Sequence, residues 1–219
     1  YMQYQNSDTN EAAYERIYLT PDLAFEMDAS GLPNLIHEFT GEAFGEFKDP
    51  LGGSDMVYII DNNYFEFGES TGYLGFENGN WLEYTGASWD GVQAGELFRL
   101  GTLDYFNGTT WGGTHATGIT LELTIVLSMP NTNQTFDINL DLESTTNLES
   151  NTADENADYV RIGDLSSNFS TTIDGIQYNL NLAFGYNGAN GFTTVDEFHV
   201  HEAATATADL WGFFSSEDF

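Results

Sequence analysis

The chain has 219 residues, with 4 Lys+Arg against 35 Asp+Glu, a formal net charge of −31 and no cysteine. That balance excludes DNA and RNA as partners, because phosphate binding needs clustered Lys and Arg, and it disfavours an anionic membrane surface. The missing cysteines exclude disulfides, thiolate metal sites and cysteine nucleophiles. A hydrophobic fraction of 41% and an aromatic fraction of 15% still suffice for a core, unlike the composition of a disordered acidic tail. So acidic a domain repels itself. Ambient salt or bound cations such as calcium must relieve that repulsion.

The chain opens on Tyr1 with no charged and then apolar leader. Its longest apolar runs, such as Met56 to Ile60, are about five residues, against roughly 20 needed to span a bilayer. A piece of a longer chain, without membrane insertion, is expected. Residues 1–40 read as an N-terminal extension or the edge of a neighbouring segment. Asn10 can cap a short helix through Arg16 there, and Pro21 and Pro33 break longer elements.

Residues 41–219 read as β throughout. Ile119, Leu121, Leu123, Ile125 and Leu127 share one face of a period-two pattern. Phe136, Ile138, Leu140 and Leu142 alternate with Asp137, Asn139, Asp141 and Glu143, and Ile176, Tyr178, Leu180, Leu182 and Phe184 with Gln177, Asn179 and Asn181. Such alternation predicts strands with one face in a core and the other in water. Asp174-Gly175 predicts a two-residue hairpin, and Asn78-Gly79 a second turn. The fold class expected is all-β: an antiparallel, jelly-roll-like β-sandwich, stabilised by calcium.

The stretch Glu143–Asp158 is a long acidic connection without a basic residue. Long loops inside compact domains are commonly functional. Asp154-Glu155-Asn156-Ala157-Asp158 has the D-x-N-x-D spacing that opens many calcium loops. The EF-hand match then fails, with Tyr159 where Gly is wanted and Leu165 where Glu is wanted. The same spacing at Asp137, Asn139 and Asp141 lies in a strand, where it covers about 13 Å and reads as a solvated face. Asp61-Asn62-Asn63 and Asn107-Gly108 are further oxygen-rich positions that also read as turn chemistry. Candidate metal ligands are therefore Asp154, Glu155, Asn156 and Asp158, with Asp61 and Asn63. Asn107, Asn147, Tyr105 and Trp111 are the candidate ligand-contacting residues. Glu197, His199 and His201 alternate along a strand and read as a solvated edge rather than a metal site, since such sites need three or four ligands.

Catalytic motifs are missing: no H-E-x-x-H, G-x-S-x-G, P-loop or G-x-G-x-x-G occurs. The E-x-D-x-x-E strand of jelly-roll glycosidases is not present either, as Glu26-Met27-Asp28 runs into Gly31. A non-enzyme is expected. Trp81, Tyr84, Trp89, Trp111 and Trp211 can serve either core packing or a sugar-binding platform.

Tyr64-Phe65-Glu66-Phe67-Gly68, Leu74-Gly75-Phe76 and the run Phe98–Thr109 (F-x-L-G-x-L-x-Y-x-N-G-T), followed by Ala208-Asp209-Leu210-Trp211-Gly212, resemble the choice-of-anchor K domain of bacterial surface proteins. The chain departs from that pattern at Phe67, where Trp is usual. The family is similar to the peptide-binding domain of large calcium-dependent RTX adhesins. The resemblance implies an extracellular, cell-surface module of a longer adhesin. It also implies a calcium ion that takes the C-terminal carboxylate of a partner surface protein. A carbohydrate-binding module of the same sandwich class is the alternative.

Overall fold

The computed structural model describes residues 37–72, 78–165, 169–186 and 188–216. The helix expected around Asn10 and the breaks at Pro21 and Pro33 lie outside them. The described residues form strands only, in an antiparallel β-sandwich.

One sheet contains β1 (Glu38–Gly52), β5 (Ser88–Gln93), β7 (Ala116–Met129), β8 (Asn131–Glu143), β9 (Asp158–Leu165), β12 (Gly191–Thr193) and β13 (Glu197–Val200), in the order β12-β13-β9-β8-β7-β1-β5. The other contains β2 (Tyr58–Asp61), β3 (Tyr64–Phe67), β4 (Asn80–Gly86), β6 (Phe98–Asn107), β10 (Ser170–Ile173), β11 (Ile176–Tyr186) and β14 (Ala204–Ser216), in the order β10-β11-β14-β6-β4-β3-β2. We call these sheets A and B.

The period-two patterns place their apolar residues between the sheets. Ile119, Leu121, Leu123, Ile125 and Leu127 of β7 are all buried, as are Phe136, Ile138, Leu140 and Leu142 of β8. Tyr178, Leu180 and Phe184 of β11 are buried, while Ile176 and Leu182 pack against the core partly exposed. Each fully buried side chain of this size contributes about 1.5–3 kcal/mol. On the opposite face of β8, Asn139 and Asp141 are exposed, and Asp137 meets Lys48 Nζ at 2.8 Å. The D-x-N-x-D spacing there is a solvated face, as the strand geometry predicts.

The Asp174-Gly175 hairpin joins Ile173 to Ile176, with φ of 50° and 83° at its two central residues. Both angles are positive, which is what a type I′ turn demands. The sandwich also begins before Gly41. Phe39 is fully buried and stacks on Phe214, near the end of β14, with centroids 4.1 Å apart. The opening of β1 and the close of β14 therefore share one pole of the sandwich. Along β6 and β14 the register runs from Phe98↔Gly212 to Asn107↔Ala204, about 30 Å at the usual rise. That opposite pole carries the candidate site.

Gly101 lies in the middle of β6. A Cβ there would sit 2.4 Å from Thr85 O and 2.6 Å from Tyr84 Oη, while the Tyr84 hydroxyl donates to Leu100 O at 2.9 Å. The glycine of the F-x-L-G motif thus makes room for a buried tyrosine. Tyr84 and Trp89 are core residues, so neither can serve as a sugar platform.

Candidate metal and ligand site

Four elements meet at the far pole: the end of β6, the start of β9, the end of β13 with its turn into β14, and the loop over residues 144–157. Asp158 opens β9 opposite Val200 of β13. Asn107 closes β6 opposite Ala204 of β14. The two side chains thus come from different sheets. Asn107 Nδ2 donates to Val200 O at 3.0 Å, which ties sheet B to sheet A at this point.

Asp158 is 3% exposed. Its Oδ1 accepts from the Thr145 N–H at 2.7 Å and from the Thr145 hydroxyl at 3.2 Å. Burial, with the nearby Glu202 charge adding to it, nevertheless pushes its pKa up to about 6 against the lowering effect of those bonds. Glu202, in the β13–β14 turn, accepts from the Thr109 hydroxyl at 2.6 Å and from Asn147 Nδ2 at 2.9 Å. Tyr105 is buried beside both carboxylates, and burial together with their charges raises its phenol well above the ordinary value. Asn107 is fully buried, and its Oδ1 has no hydrogen-bond partner among the described residues.

The described basic residues are committed elsewhere. Lys48 sits between Glu122 and Asp137, Arg99 pairs with Asp209 at 3.4 Å, and Arg161 Nε donates to Glu197 Oε1 at 2.9 Å. Asp158 and Glu202 therefore have no Lys or Arg partner among the described residues. Two mutually repelling carboxylates, at a pole that also holds an unsatisfied amide oxygen, form an electrostatic deficit that a cation relieves. The donor set is all oxygen, which suits a hard cation rather than a soft one. Among the described residues no three His, Asp or Glu side chains are arranged to hold a metal by themselves. A neutral oxygen such as Asn107 Oδ1 must complete any such set, while Asn147 and Thr109 donate to Glu202.

The expected ligands Asp154, Glu155 and Asn156 all hydrogen-bond within the described residues. Asp154 Oδ1 meets His201 Nε2 at 2.8 Å. Glu155 Oε2 accepts from the Thr152 N–H and hydroxyl at 2.7 and 3.0 Å, while its own N–H donates to Thr152 Oγ1 at 3.3 Å. That reciprocal pair is a capping box around a single turn. Asn156 Oδ1 accepts from Leu148 N–H at 3.1 Å, and its Nδ2 donates to Leu148 O at 3.0 Å. The D-x-N-x-D spacing folds the loop, and of its three polar side chains Asp158 is the one that joins Glu202.

Asp61 and Asn63 flank the β2–β3 turn. Asn62 there has a φ of 51° and donates to Asp61 Oδ1, and Asn63 Nδ2 donates to Tyr84 O at 2.9 Å. The first bond is local turn chemistry, and the second ties the turn to β4. Trp111 is 57% exposed, on the loop that leaves β6 just after Thr109. Sequence reasoning did not single out Glu202, which accepts from both Thr109 and Asn147 and whose charge acts on Asp158. His199 is not on a solvated edge. It is 7% exposed, stacked on Phe192 at 4.3 Å, and burial lowers its pKa. The short outer strand β12 supplies that cover.

A comparison with protein-family models finds no match, and a comparison with curated protein sequences finds none either.

Proposed function

We propose that this chain is a calcium-dependent, non-catalytic ligand-binding module of a bacterial surface adhesin, working outside the cell and recognising the C-terminal carboxylate of partner surface proteins. The observation that carries the reading is the buried Asp158 carboxylate, opposed by Glu202, at the pole where the Asn107 Oδ1 is buried without a partner among the described residues. The resemblance of the Phe98–Thr109 run supports it from the sequence side. Within that run, Asn107 spans the two sheets and Thr109 orients Glu202.

Asp158, Glu202 and Asn107 would hold the ion, with Asn147 and Thr109 fixing the Glu202 carboxylate. When bound, calcium supplies a hard positive charge that accepts a further carboxylate oxygen. The chain's own residues set the specificity. Buried Asp158 stays dry, Tyr105 stays protonated, and Trp111 offers an exposed ring beside Thr109 for the side chains of a peptide.

Calorimetry with matched free-acid and amidated peptides, in calcium and in chelator, tests this reading. Binding of the free acid in calcium alone is expected. Equal binding of the amidated peptide, or binding that survives chelation, refutes it.

A further inference from the structure

Met56–Ile60 is an unbroken apolar run, a pattern that suits a strand buried on both faces. The fold instead puts it at the outer edge of sheet B. There β2 pairs with β3 on one side, and no described strand pairs with its other side. Val57, Tyr58 and Ile59 are each about half exposed. Charges, bulges and covering groups normally blunt such an edge. The edge strand β5 carries Asp90 and a left-handed Gly91, with φ of 62°, and on the edge strand β10 Ser170 O accepts from Gln134 Nε2 at 2.8 Å. Tyr58–Ile60 have no such device.

The ladder shows which backbone groups are free. Val57 O accepts from the Gly68 N–H at 2.9 Å. Antiparallel pairing alternates, so Val57, Ile59 and Asp61 face β3, and Tyr58 and Ile60 turn their N–H and C=O groups outward. No described residue bonds them there. The slot has two ends. At one, the Val57 N–H donates to Thr114 O at 3.0 Å, and at the other Asn62 O accepts from the Phe47 N–H at 2.7 Å. Side chains follow the same alternation. Tyr58 and Ile60 stand opposite the buried Phe67 and Phe65, on the core side, while Ile59 and Asp61 stand opposite Glu66 and Tyr64, on the outer side.

We propose that the β2 edge takes up an extended segment of another protein, alternating apolar residues with Lys or Arg, as an added antiparallel strand of sheet B. Side chains opposite Tyr58 and Ile60 would enter the rim of the core and must be apolar. Those on either side lie beside Ile59, Glu66 and Asp61, where a Lys or Arg stem covers Ile59 and its charge meets the carboxylates. Charge selects this occupant over a second copy of the chain. Asp55 precedes the slot, Asp61 closes it, Glu66 stands opposite Ile59, and the Glu69 N–H donates to the Thr114 hydroxyl at the Val57 end. Lys48, next to Phe47, is held between Glu122 and Asp137. Two copies would set −31 against −31, whereas a basic strand meets its complement. The edge is three strands from β6 and its Asn107, about 14 Å across the sheet, so it is separate from the cation cluster.

The probe is a heptapeptide of alternating Lys and Val, acetylated and amidated so that it offers no terminal carboxylate. Affinity is measured by calorimetry at about 0.15 M salt, in calcium and in chelator. The peptide is expected to bind in both. Ser in place of Val keeps the charge and weakens binding about tenfold or more. N-methylation of the valines removes the donors to Tyr58 O and Ile60 O and has an effect of about the same size. Ile59→Lys weakens binding about tenfold, while Thr172→Lys, the same change of charge at the β10 edge, leaves most of the affinity. Should Ile59→Lys fail to fold, the two peptide analogues carry the test on the unaltered chain. No binding of the alternating peptide overturns the proposal. So does equal binding of either analogue, equal weakening by the two lysine variants, or loss of binding in chelator, which assigns the peptide to the pole. A dimer of the free chain in sedimentation that Ile59→Lys dissolves also overturns it, and gives the edge to a second copy.

Discussion

Replacing Asp158 by Asn keeps the shape of the side chain and an oxygen for the Thr145 N–H, but removes the charge. In the wild-type chain that carboxyl is raised from 3.8 to about 6 by burial and by Glu202. At 1.36 kcal/mol per unit this corresponds to roughly 3 kcal/mol against the folded state whenever the group is ionised and no cation is present. The direction follows from proton counting: between pH 3.8 and about 6 the folded chain binds more protons here than the unfolded chain. Stability from this group therefore falls as pH rises through that window, and is lowest above it. In chelator at pH 7.5, Asp158→Asn is expected to melt higher by up to about 6–12 °C, at about 2–4 °C per kcal/mol for a domain of this size. In calcium at a hundred times its Kd, the wild-type chain gains about 2.7 kcal/mol, and the variant gains none. One substitution thus stabilises without the ion and forfeits the stabilisation with it. Thermal melts of both chains across pH 4 to 8, in chelator and in calcium, check this. The wild-type-minus-variant difference cancels the titration of the other carboxylates. A variant that melts lower than wild type in chelator, or that keeps the full calcium shift, refutes the reasoning.

Glu202→Gln removes the opposing charge from Asp158, so its carboxyl is expected to titrate lower in the variant, and calcium binding measured by calorimetry is expected to be lost. Gly101→Ala places a methyl 2.4 Å from Thr85 O and is expected to cost about 1–3 kcal/mol in urea unfolding as Tyr84 is displaced. Gly175→Ala meets open space, but at φ of 83°, so about 1–2 kcal/mol is expected from backbone strain alone. Asp154→Ala breaks the His201 contact and is expected to speed proteolytic cleavage within residues 144–157, with little change in global melting.

Much of the fold was legible because a strand's period-two pattern reports which face it buries. Leu121, Leu140 and Leu180 were placed correctly on that basis alone, and Asp174-Gly175 marked its own turn. The pattern does not report which strands become neighbours. His199 reads as an edge residue in sequence, yet the three residues of β12 pair outside β13 and cover it with Phe192. The site divides in the same way. Asp158, Asn107, Asn147 and Tyr105 were legible as oxygen-rich or motif positions, and the fold brings them to one pole. Asp154 and Asn156 share the spacing of calcium ligands, but Asn156 bonds Leu148 within the loop and Asp154 reaches across to His201. Glu202 carries no local signal. It becomes a partner of Asp158 only because the β13–β14 turn closes over the start of β9, a contact that sequence spacing does not encode.

The Phe39–Phe214 stack brings the start of the first described strand and the end of the last together across the sandwich at one pole, about 30 Å from Asn107. Force applied between residues 38 and 216 would enter and leave at that pole. It would load the pairing of β1 with β5 and β7 in one sheet, and of β14 with β6 and β11 in the other, starting at their near ends. The far pole lies off this load path, so its cross-sheet bond from Asn107 to Val200 would stay unstressed until peeling had run most of the length of β14. A ligand held there could remain engaged while its mounting is pulled, with rupture starting at the mounting rather than at the grip.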